Sequence, residues 1–318
     1  MPLFFIIIPS MKKKISIIGA GNVGATTAQL VVQSGIADVV LFDLVEGMPQ
    51  GKSLDLAEAC PLWNSSSTIK GTNSYADTAG SDIVVVTAGL ARKPGMSRSD
   101  LLLANAEIVR GVCMEIAKTS PNAILIIVTN PMDIMAQLAW KATEFSCKRV
   151  MGMGGILDAS RLAAFISEAL DVSPEDIETL VLGGHGDDMV PLPRFTTVKG
   201  IPLTELLPKK KIESLIERTR NGGAEIVALL KSGSAYYAPA ASTFQMIKSI
   251  LLDERRVLPC AAFLNGEYGV KEIYMGVPAI IGKEGIEKIV EVKLVGEERA
   301  QFRKSCTSVR KLIKKLHI

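Results

Sequence analysis

The sequence predicts an α/β fold, in which a doubly wound parallel-sheet domain is followed by a second domain of mixed α/β structure. Two observations lead to this prediction. Apolar runs at residues 83–87 and 123–128 alternate with helix-compatible segments, a pattern typical of parallel strands that are covered on both faces. The glycine-rich segment 19–24 lies between the first apolar run and the first helix-compatible segment. We place the first domain at residues 11–153 and the second at residues 154–318.

The start of the chain follows the order strand, glycine turn, helix, strand and acid. The apolar run 14–18 is followed by Gly-Ala-Gly-Asn-Val-Gly at 19–24, a helix-compatible segment at 25–34, an apolar run at 39–42 and then Asp43. This order and spacing predict a dinucleotide-binding, or Rossmann, domain.

Each glycine of the turn is expected to meet a different steric requirement. Gly19 permits the tight turn, Gly21 lets the backbone approach a pyrophosphate, and Gly24 lets the helix pack closely against the strand. The helix that follows offers free N–H groups to the phosphates. Asp43 is placed to accept hydrogen bonds from a ribose diol and would repel a 2′-phosphate, so we expect NAD rather than NADP.

The loop at residues 89–100 directly follows a predicted strand and is rich in positive charge. Arg92, Lys93 and Arg98 lie in it, together with two glycines and a proline. Either a solvated surface loop or a lid that closes over an anionic substrate fits this composition, and the lid is the more specific hypothesis.

Histidine is rare in this chain, and of the two histidines only His185 lies away from the C-terminal end, where His317 is found. Because the pKa of histidine lies nearest to neutral pH, His185 is the candidate proton carrier. Asp158 and Arg161 are three residues apart and share a face if they lie on a helix. A structural histidine and an ordinary local ion pair are the alternatives.

The charge distribution argues against a nucleic-acid-binding groove. The net charge is +3, but residues 293–318 hold eight Lys/Arg and two Glu, a net of +6, so residues 1–292 carry −3 by subtraction. We expect this basic segment to be a helix with an exposed charged face. Its predicted buried side consists of Val309, Leu312, Ile313 and Leu316.

The five cysteines show neither a C-x-x-C pair nor zinc spacing, which favours reduced thiols and a cytoplasmic location. The apolar run 3–8 is too short to span a membrane, and the lysines at 12–14 follow it instead of preceding it. We therefore predict that residues 1–10 are a non-core extension. The sequence leaves a weak membrane-targeting role open for them.

Taken together, these segments resemble the lactate/malate dehydrogenase family from about residue 13 to the C-terminus. The motifs that carry the resemblance are GAGNVG at 19–24, Asp43, ARKPGMSR at 91–98, VTNP at 128–131, LDASR at 157–161, GGHGDDMVPL at 183–192 and GSAYYAPAAS at 233–242.

The resemblance implies a role for each residue of the candidate site. His185 would be the general acid/base, Asp158 would orient its ring, and Arg98 on the lid would polarise the reacting carbonyl. Arg161 would bind the C1 carboxylate of the substrate with two charge-assisted hydrogen bonds. Asn130 would donate a hydrogen bond to the substrate oxygen near the nicotinamide.

The resemblance also implies NAD as cofactor and no metal, because hydride passes directly between the nicotinamide and C2 of the substrate. Ala235 would contribute to the pocket wall, with simple helix packing as the alternative. The implied cofactor contacts are Gly19, Gly21, Asn22, Val23, Gly24, Asp43, Thr87, Ala88, Gly89, Asn105, Val128 and Asn130.

Arg92 indicates the substrate. The matching position is typically Gln in the lactate enzymes of the family and Arg in the malate enzymes. The second carboxylate of a substrate such as oxaloacetate needs a counter-charge when it is desolvated, and Arg92 would supply this charge. The resemblance therefore implies a malate dehydrogenase activity, the reversible transfer of hydride between (S)-malate and NAD+ that gives oxaloacetate and NADH. A different 2-hydroxy acid dehydrogenase and a catalytically silent dinucleotide-binding protein are the competing functions.

Two further expectations accompany the resemblance. Many relatives have Thr or Ser where this chain has Asp188, whose charge would raise the pKa of His185 if it lies close and would have no such effect if it points into solvent. The segment 46–62 has more apolar surface than one buried side requires, and the family forms dimers and tetramers. We therefore expect a homodimer or a homotetramer.

Overall fold

The structure, a computed structural model, describes residues 12–90 and 98–316, apart from the side chain of Arg98. The proposed extension at residues 1–10, the lid residues Arg92 and Lys93, and His317 lie outside the described residues. The roles expected for these residues therefore stay predictions.

The described residues form fourteen strands and nine α-helices. The strands are β1 (Lys14–Ile18), β2 (Asp38–Phe42), β3 (Ile69–Thr72), β4 (Ile83–Val86), β5 (Ile124–Ile127), β6 (Val150–Gly152), β7 (Ile177–Glu178), β8 (Val181–Gly183), β9 (Met189–Pro191), β10 (Thr197–Val198), β11 (Ile201–Pro202), β12 (Arg256–Asn265), β13 (Lys271–Gly282) and β14 (Gly285–Ile289). The helices are α1 (Asn22–Ser34), α2 (Met48–Ala59), α3 (Arg98–Thr119), α4 (Met132–Thr143), α5 (Gly155–Leu170), α6 (Leu203–Leu206), α7 (Lys209–Leu230), α8 (Tyr237–Leu251) and α9 (Gly296–Lys315).

The first six strands form a parallel sheet in the order β3-β2-β1-β4-β5-β6. The chain moves outward from β1 in one direction through β2 and β3, and then returns to the other side of β1 to form β4. This reversal is the topological switch point at which doubly wound sheets bind their ligands. The observed order confirms the predicted fold class.

The core of the parallel sheet explains why these segments become strands. Every residue of β4 and β5 is buried, and these two strands consist only of valine, isoleucine and leucine. Such side chains are favoured on a pleated surface that is covered on both faces. The predicted run 83–87 is one residue longer than β4, and the hydroxyl of Thr87 donates to the carbonyls of Ile18 and Gly19.

The second half of the chain adds antiparallel strands to the same sheet. Beyond β6 the order continues through β12, β13, β8 and β9, with β14 pairing β13, and a separate small sheet contains β11, β10 and β7. The two halves of the large sheet meet where Gly152 of β6 lies opposite Ala261 of β12. Because the sheet is continuous at this point, the boundary at residues 153 and 154 stays a prediction.

The C-terminal segment forms the expected amphipathic helix, α9. Val309, Ile313 and Leu316 are buried and Leu312 is half-buried, while the basic side chains that separate them are mostly exposed. The buried side of α9 packs against α4, β8 and β9. The basic charge of this segment therefore lies on the solvent side of a core helix.

Candidate active site

The glycine turn lies between β1 and α1 and has the close contacts that require glycine. Gly19 has a φ of +111°, and a Cβ at this position would lie 2.6 Å from Oγ1 of Thr87. A Cβ on Gly24 would overlap the carbonyl oxygen of Gly19. A Cβ on Gly21, by contrast, would have no atom within 4 Å among the described residues, so this part of the backbone faces open space. The turn therefore fits the close approach of a pyrophosphate at the start of α1.

Asp43 lies at the end of β2 and is joined directly to this turn. Its Oδ2 accepts a hydrogen bond from the backbone N–H of Ala20 at 2.7 Å, and its Oδ1 accepts one from Val45 at 3.0 Å. The ammonium group of Lys52 on α2 donates to the carbonyl of Ala20 at 2.6 Å. The carboxylate is thus held beside the glycine turn, where a cofactor ribose would lie.

Asn105 joins the ends of β4 and β5. This buried side chain of α3 accepts a hydrogen bond from the N–H of Leu90 at 2.7 Å and donates one to the carbonyl of Asn130 at 2.7 Å. Gly89 packs tightly here, since a Cβ on it would lie 2.5 Å from Cγ2 of Thr129. Asn105 therefore fixes the backbone of both segments, and the exposed Asn130 follows β5 at the same edge of the sheet.

The other predicted cofactor residues lie at this edge as well. Asn22 and Val23 begin α1, Ala88 follows β4, and Val128 follows β5. Their side chains are half-buried or exposed.

His185 lies beside the end of β6 and is paired with a buried carboxylate. Its Nδ1 is 2.9 Å from Oδ2 of Asp158, which lies in the first turn of α5 and is 1% exposed. The imidazole is 14% exposed. A Cβ on Gly154 would lie 3.1 Å from the Cβ of His185, so a side chain at residue 154 would displace the histidine. Because Nδ1 is paired with Asp158, Nε2 is the ring nitrogen left to exchange a proton.

Arg161 lies one helical turn beyond Asp158 on the same face of α5. Its Nη1 is 3.8 Å from Oδ1 of Asp158, and its buried Nε has no hydrogen-bond partner among the described residues. Burial lowers the pKa of Arg161, although the charge of Asp158 opposes this shift. Gly222 and Gly223 of α7 lie against the arginine and leave its side chain room. A buried guanidinium with unused donors is a site for an anion.

A second carboxylate lies beside His185 that the sequence patterns did not predict. Asp133, in the first turn of α4, is 3% exposed, and its Oδ2 accepts a hydrogen bond from the backbone N–H of His185 at 2.8 Å. Its Oδ1 has no hydrogen-bond partner among the described residues. The sequence did hold a signal, because an acid inside the apolar segment 132–139 has to be buried with a partner.

The two carboxylates set the protonation of the histidine. Burial lowers the pKa of His185, but the charge and hydrogen bond of Asp158 and the charge of Asp133 outweigh this effect, and the pKa is raised above its ordinary value. Burial raises the pKa of Asp133 to about 6. The half-buried Asp188 is not among the main causes of the shift in the pKa of His185, which are burial and the charges of Asp158, Asp133 and Arg161.

Comparison with known proteins places this chain in a family. Residues 13–152 match the model of the lactate/malate dehydrogenase NAD binding domain, and residues 156–317 match the model of the lactate/malate dehydrogenase alpha/beta C-terminal domain. The chain belongs to the lactate/malate dehydrogenase family. This membership confirms the predicted family and the predicted NAD cofactor.

Individual members of the lactate/malate dehydrogenase family are similar over nearly the whole chain. Malate dehydrogenase of Heliobacterium modesticaldum is 56% identical over 302 residues, which are 95% of this chain and 98% of that protein. The structure of malate dehydrogenase from Salinibacter ruber superimposes with a TM-score of 0.92 at 46% identity and covers 96% of this chain and 97% of that one. Lactate dehydrogenase of Cryptosporidium parvum, solved with lactic acid and nicotinamide adenine dinucleotide, has a TM-score of 0.93 at 41% identity and covers 96% and 98%.

The structure gives less information on three residues of this chain that are predicted to bind the substrate. Arg92 and the side chain of Arg98 lie outside the described residues, although the backbone of Arg98 begins α3 at the base of the loop. Ala235 is half-buried and lies in the loop between α7 and α8. Because α8 begins only at Tyr237, Ala235 precedes this helix, and its role at the pocket wall stays a prediction.

The described part of the chain holds free cysteines but neither a metal-binding cluster nor a membrane-spanning helix. Within 12–90 and 98–316, no cluster of His, Cys, Asp or Glu is arranged to hold a metal ion. In the same residues, no helix has the length and hydropathy of a membrane span. All five cysteines are free thiols, and four of them are buried.

Proposed function

We propose that this chain is an NAD-dependent malate dehydrogenase that interconverts (S)-malate and oxaloacetate. The observation that carries the proposal is the cluster of His185, Asp158 and Arg161. It combines a proton carrier, its orienting carboxylate and a buried arginine with unused donors. The cluster lies next to the carboxyl end of the parallel sheet, the edge at which the glycine turn binds NAD. The malate dehydrogenases among the relatives, at 52–56% identity, support this choice of substrate.

The mechanism follows from the chemistry of these side chains. Arg161 binds the C1 carboxylate of oxaloacetate, and Arg92 binds the second carboxylate. When held at the glycine turn and Asp43, NADH would supply a hydride to C2 of the substrate. Protonated His185 donates a proton from Nε2 to the keto oxygen, so that the carbonyl becomes the alcohol of malate. Asp158 holds the Nδ1–H and stabilises the imidazolium before the proton leaves.

The remaining residues prepare the carbonyl for this transfer. Arg98 polarises the keto oxygen when the lid closes, and Asn130 donates a hydrogen bond to the same oxygen. Ala235 is a small residue at the pocket wall and leaves room for a four-carbon diacid. In the direction of malate oxidation each step reverses, and neutral His185 accepts the hydroxyl proton. The raised pKa of His185 extends the pH range in which the imidazolium form is available for reduction.

Four initial rates test the proposal: oxaloacetate and pyruvate, each with NADH and with NADPH. We expect oxaloacetate with NADH to be fastest, with a preference over pyruvate of roughly 10³-fold in kcat/KM, equivalent to about 4 kcal/mol for an unpaired buried charge. NADPH should be a poor cofactor because Asp43 repels its 2′-phosphate. Cofactor binding without NADH oxidation by oxaloacetate would instead indicate a silent dinucleotide-binding protein.

The second candidate function is that of a lactate dehydrogenase. It is favoured by the Cryptosporidium parvum lactate dehydrogenase, whose fold is as similar to this chain as that of the malate dehydrogenases. Arg92 argues against it, because pyruvate has no second carboxylate to pair with this cation. A rate with pyruvate that equals or exceeds the rate with oxaloacetate would decide for lactate.

A homo-oligomer is part of the proposal, either a dimer or a tetramer. Leu54 on α2 and the flanking Leu44 and Leu62 are 63%, 80% and 83% exposed, although they are large and apolar. Exposed apolar side chains on and beside one helix favour a surface that another subunit covers. Mass photometry at nanomolar concentration should give twice or four times the chain mass of 34.1 kDa. A monomer that persists at micromolar concentration in sedimentation would contradict this.

We assign the enzyme to the cytoplasm and its reaction to the tricarboxylic acid cycle. The five free thiols support a reducing compartment. Enrichment of the activity in a membrane or extracellular fraction after cell fractionation would contradict the assignment.

A further inference from the structure

Two consecutive backbone N–H groups at the His185 loop are held by side chains from two distant helices. The N–H of Gly184 donates to Oγ of Ser305 on α9 at 2.8 Å, and the N–H of His185 donates to Oδ2 of Asp133 on α4 at 2.8 Å. Ser305 and Asp133 are both buried. These two side chains thus bond the backbone of the loop, whereas Asp158 bonds Nδ1 of the imidazole ring.

These contacts hold the loop that carries the histidine. The loop leaves β8 at Gly183, which has a φ of +86°, and a Cβ on that glycine would lie 3.1 Å from Oγ of Ser305. Glycine-rich backbone has more conformational freedom than other sequences, so it stays in one conformation only when its polar groups are bonded. Loss of either acceptor would leave a buried N–H group without a partner and let the loop move.

Asp133 also adds negative charge on a second side of the histidine. The charged groups that face His185 are Asp133 from α4 and both Asp158 and Arg161 from α5. From α9 the nearby titratable group is Cys306, a thiol whose pKa burial raises to about 11 and which adds no charge at pH 7. The histidine loop itself carries Asp187 and Asp188. At the imidazole ring, the negative charges of Asp158 and Asp133 therefore act against the positive charge of Arg161.

We propose that Asp133 and Ser305 are positioning residues for His185. Asp133 fixes the backbone of the histidine and favours its imidazolium form, and Ser305 ties the same loop to the C-terminal helix. The inference rests on the proposed function, since it assigns two supporting residues to that proton-transfer site. A misplaced proton carrier loses rate even when substrate and cofactor still bind, because a displacement of about 1 Å can cost about 10²-fold.

The first test is the variant Asp133→Asn, which retains an acceptor for the His185 N–H but removes the charge. The pKa of the His185 ring should fall by about one pH unit. This titration can be measured by NMR without substrate, in a His317→Gln background in which His185 is the remaining histidine. At alkaline pH the kcat for oxaloacetate reduction should also fall about tenfold, because a decrease of one unit in the pKa of His185 lowers its imidazolium population about tenfold.

The second test is Ser305→Ala, which removes an acceptor and no charge. We expect kcat to fall about tenfold, with little change in the pKa of the His185 ring or in NADH affinity. Ser249→Ala is the matched control, since the hydroxyl of this buried serine on α8 bonds to the backbone of Arg256 and Ile281 instead. The control should lower the melting temperature to a similar extent and leave kcat unchanged.

The outcomes separate this inference from the proposed function. If the wild-type protein does not reduce oxaloacetate, the proposed function fails, whereas the NMR titration still reports on Asp133. If the wild-type protein is active, and folded Asp133→Asn keeps the ring pKa while Ser305→Ala keeps kcat, the inference is overturned. If Asp133→Asn does not fold, Asp133→Glu replaces it: the retained charge should preserve the ring pKa, and the displaced acceptor should lower kcat.

Discussion

Substitution of His185 by Asn is expected to lower kcat for oxaloacetate reduction by about 10²- to 10⁴-fold, the range that a positioned general acid contributes. Asparagine is close in size to the part of the imidazole that bonds Asp158, but it cannot carry a proton to the substrate. NADH binding should be nearly unchanged, because the proposal assigns it to the glycine turn and Asp43, which are bonded to each other. Steady-state rates give the first quantity, and titration of NADH fluorescence gives the second.

The chain supplies a matched control for this experiment. His317 is the other histidine of the sequence, so His317→Asn makes the same chemical change at a residue to which the proposed mechanism assigns no role. It should retain wild-type kcat. If His185→Asn kept substantial activity, another group would have to carry the proton, and the proposed mechanism would be wrong.

The parts of the site that depend on short-range sequence could be predicted well. The glycine turn and Asp43 belong to one strand-helix-strand unit, in which each residue has a fixed steric or electrostatic task. The pairing of Asp158 with His185 was also expected, but from the family resemblance: spacing along the chain shows only that Asp158 and Arg161 share a helical face.

The parts that depend on long-range packing could not be predicted. Asp133 lies 52 residues along the chain from His185, and Ser305 lies 121 residues from Gly184, although each accepts a hydrogen bond from the backbone N–H of that residue. Local periodicity therefore carries no information about these contacts. The same holds for the junction of Gly152 with Ala261, which joins the two halves of the sheet. Such pairings are decided by the tertiary arrangement, since a buried polar group bonds to whichever partner the packing brings near it.

Substitution of Arg92 by Gln is expected to change substrate preference more than any other single replacement in the lid. The variant loses the cation that the second carboxylate of oxaloacetate requires, and its amide can face pyruvate without leaving a buried charge unpaired. We expect the kcat/KM ratio of oxaloacetate to pyruvate to fall by roughly 10³-fold, equivalent to about 4 kcal/mol. Both substrates should be measured with saturating NADH at one pH, so that the protonation of His185 is the same.

Lys93→Gln separates a specific ion pair from a general effect of lid charge. It removes one positive charge from the adjacent residue of the same loop. A diffuse attraction between the lid and an anionic substrate would be weakened equally by either substitution, and it would be screened by salt. A desolvated pair between Arg92 and the second carboxylate would be lost only in Arg92→Gln and would persist at high ionic strength. Equal effects of the two substitutions would therefore show that Arg92 does not select the substrate. A large effect confined to Arg92→Gln would assign to Arg92 the choice between a diacid and a monoacid, while proton transfer by His185 is common to both substrates.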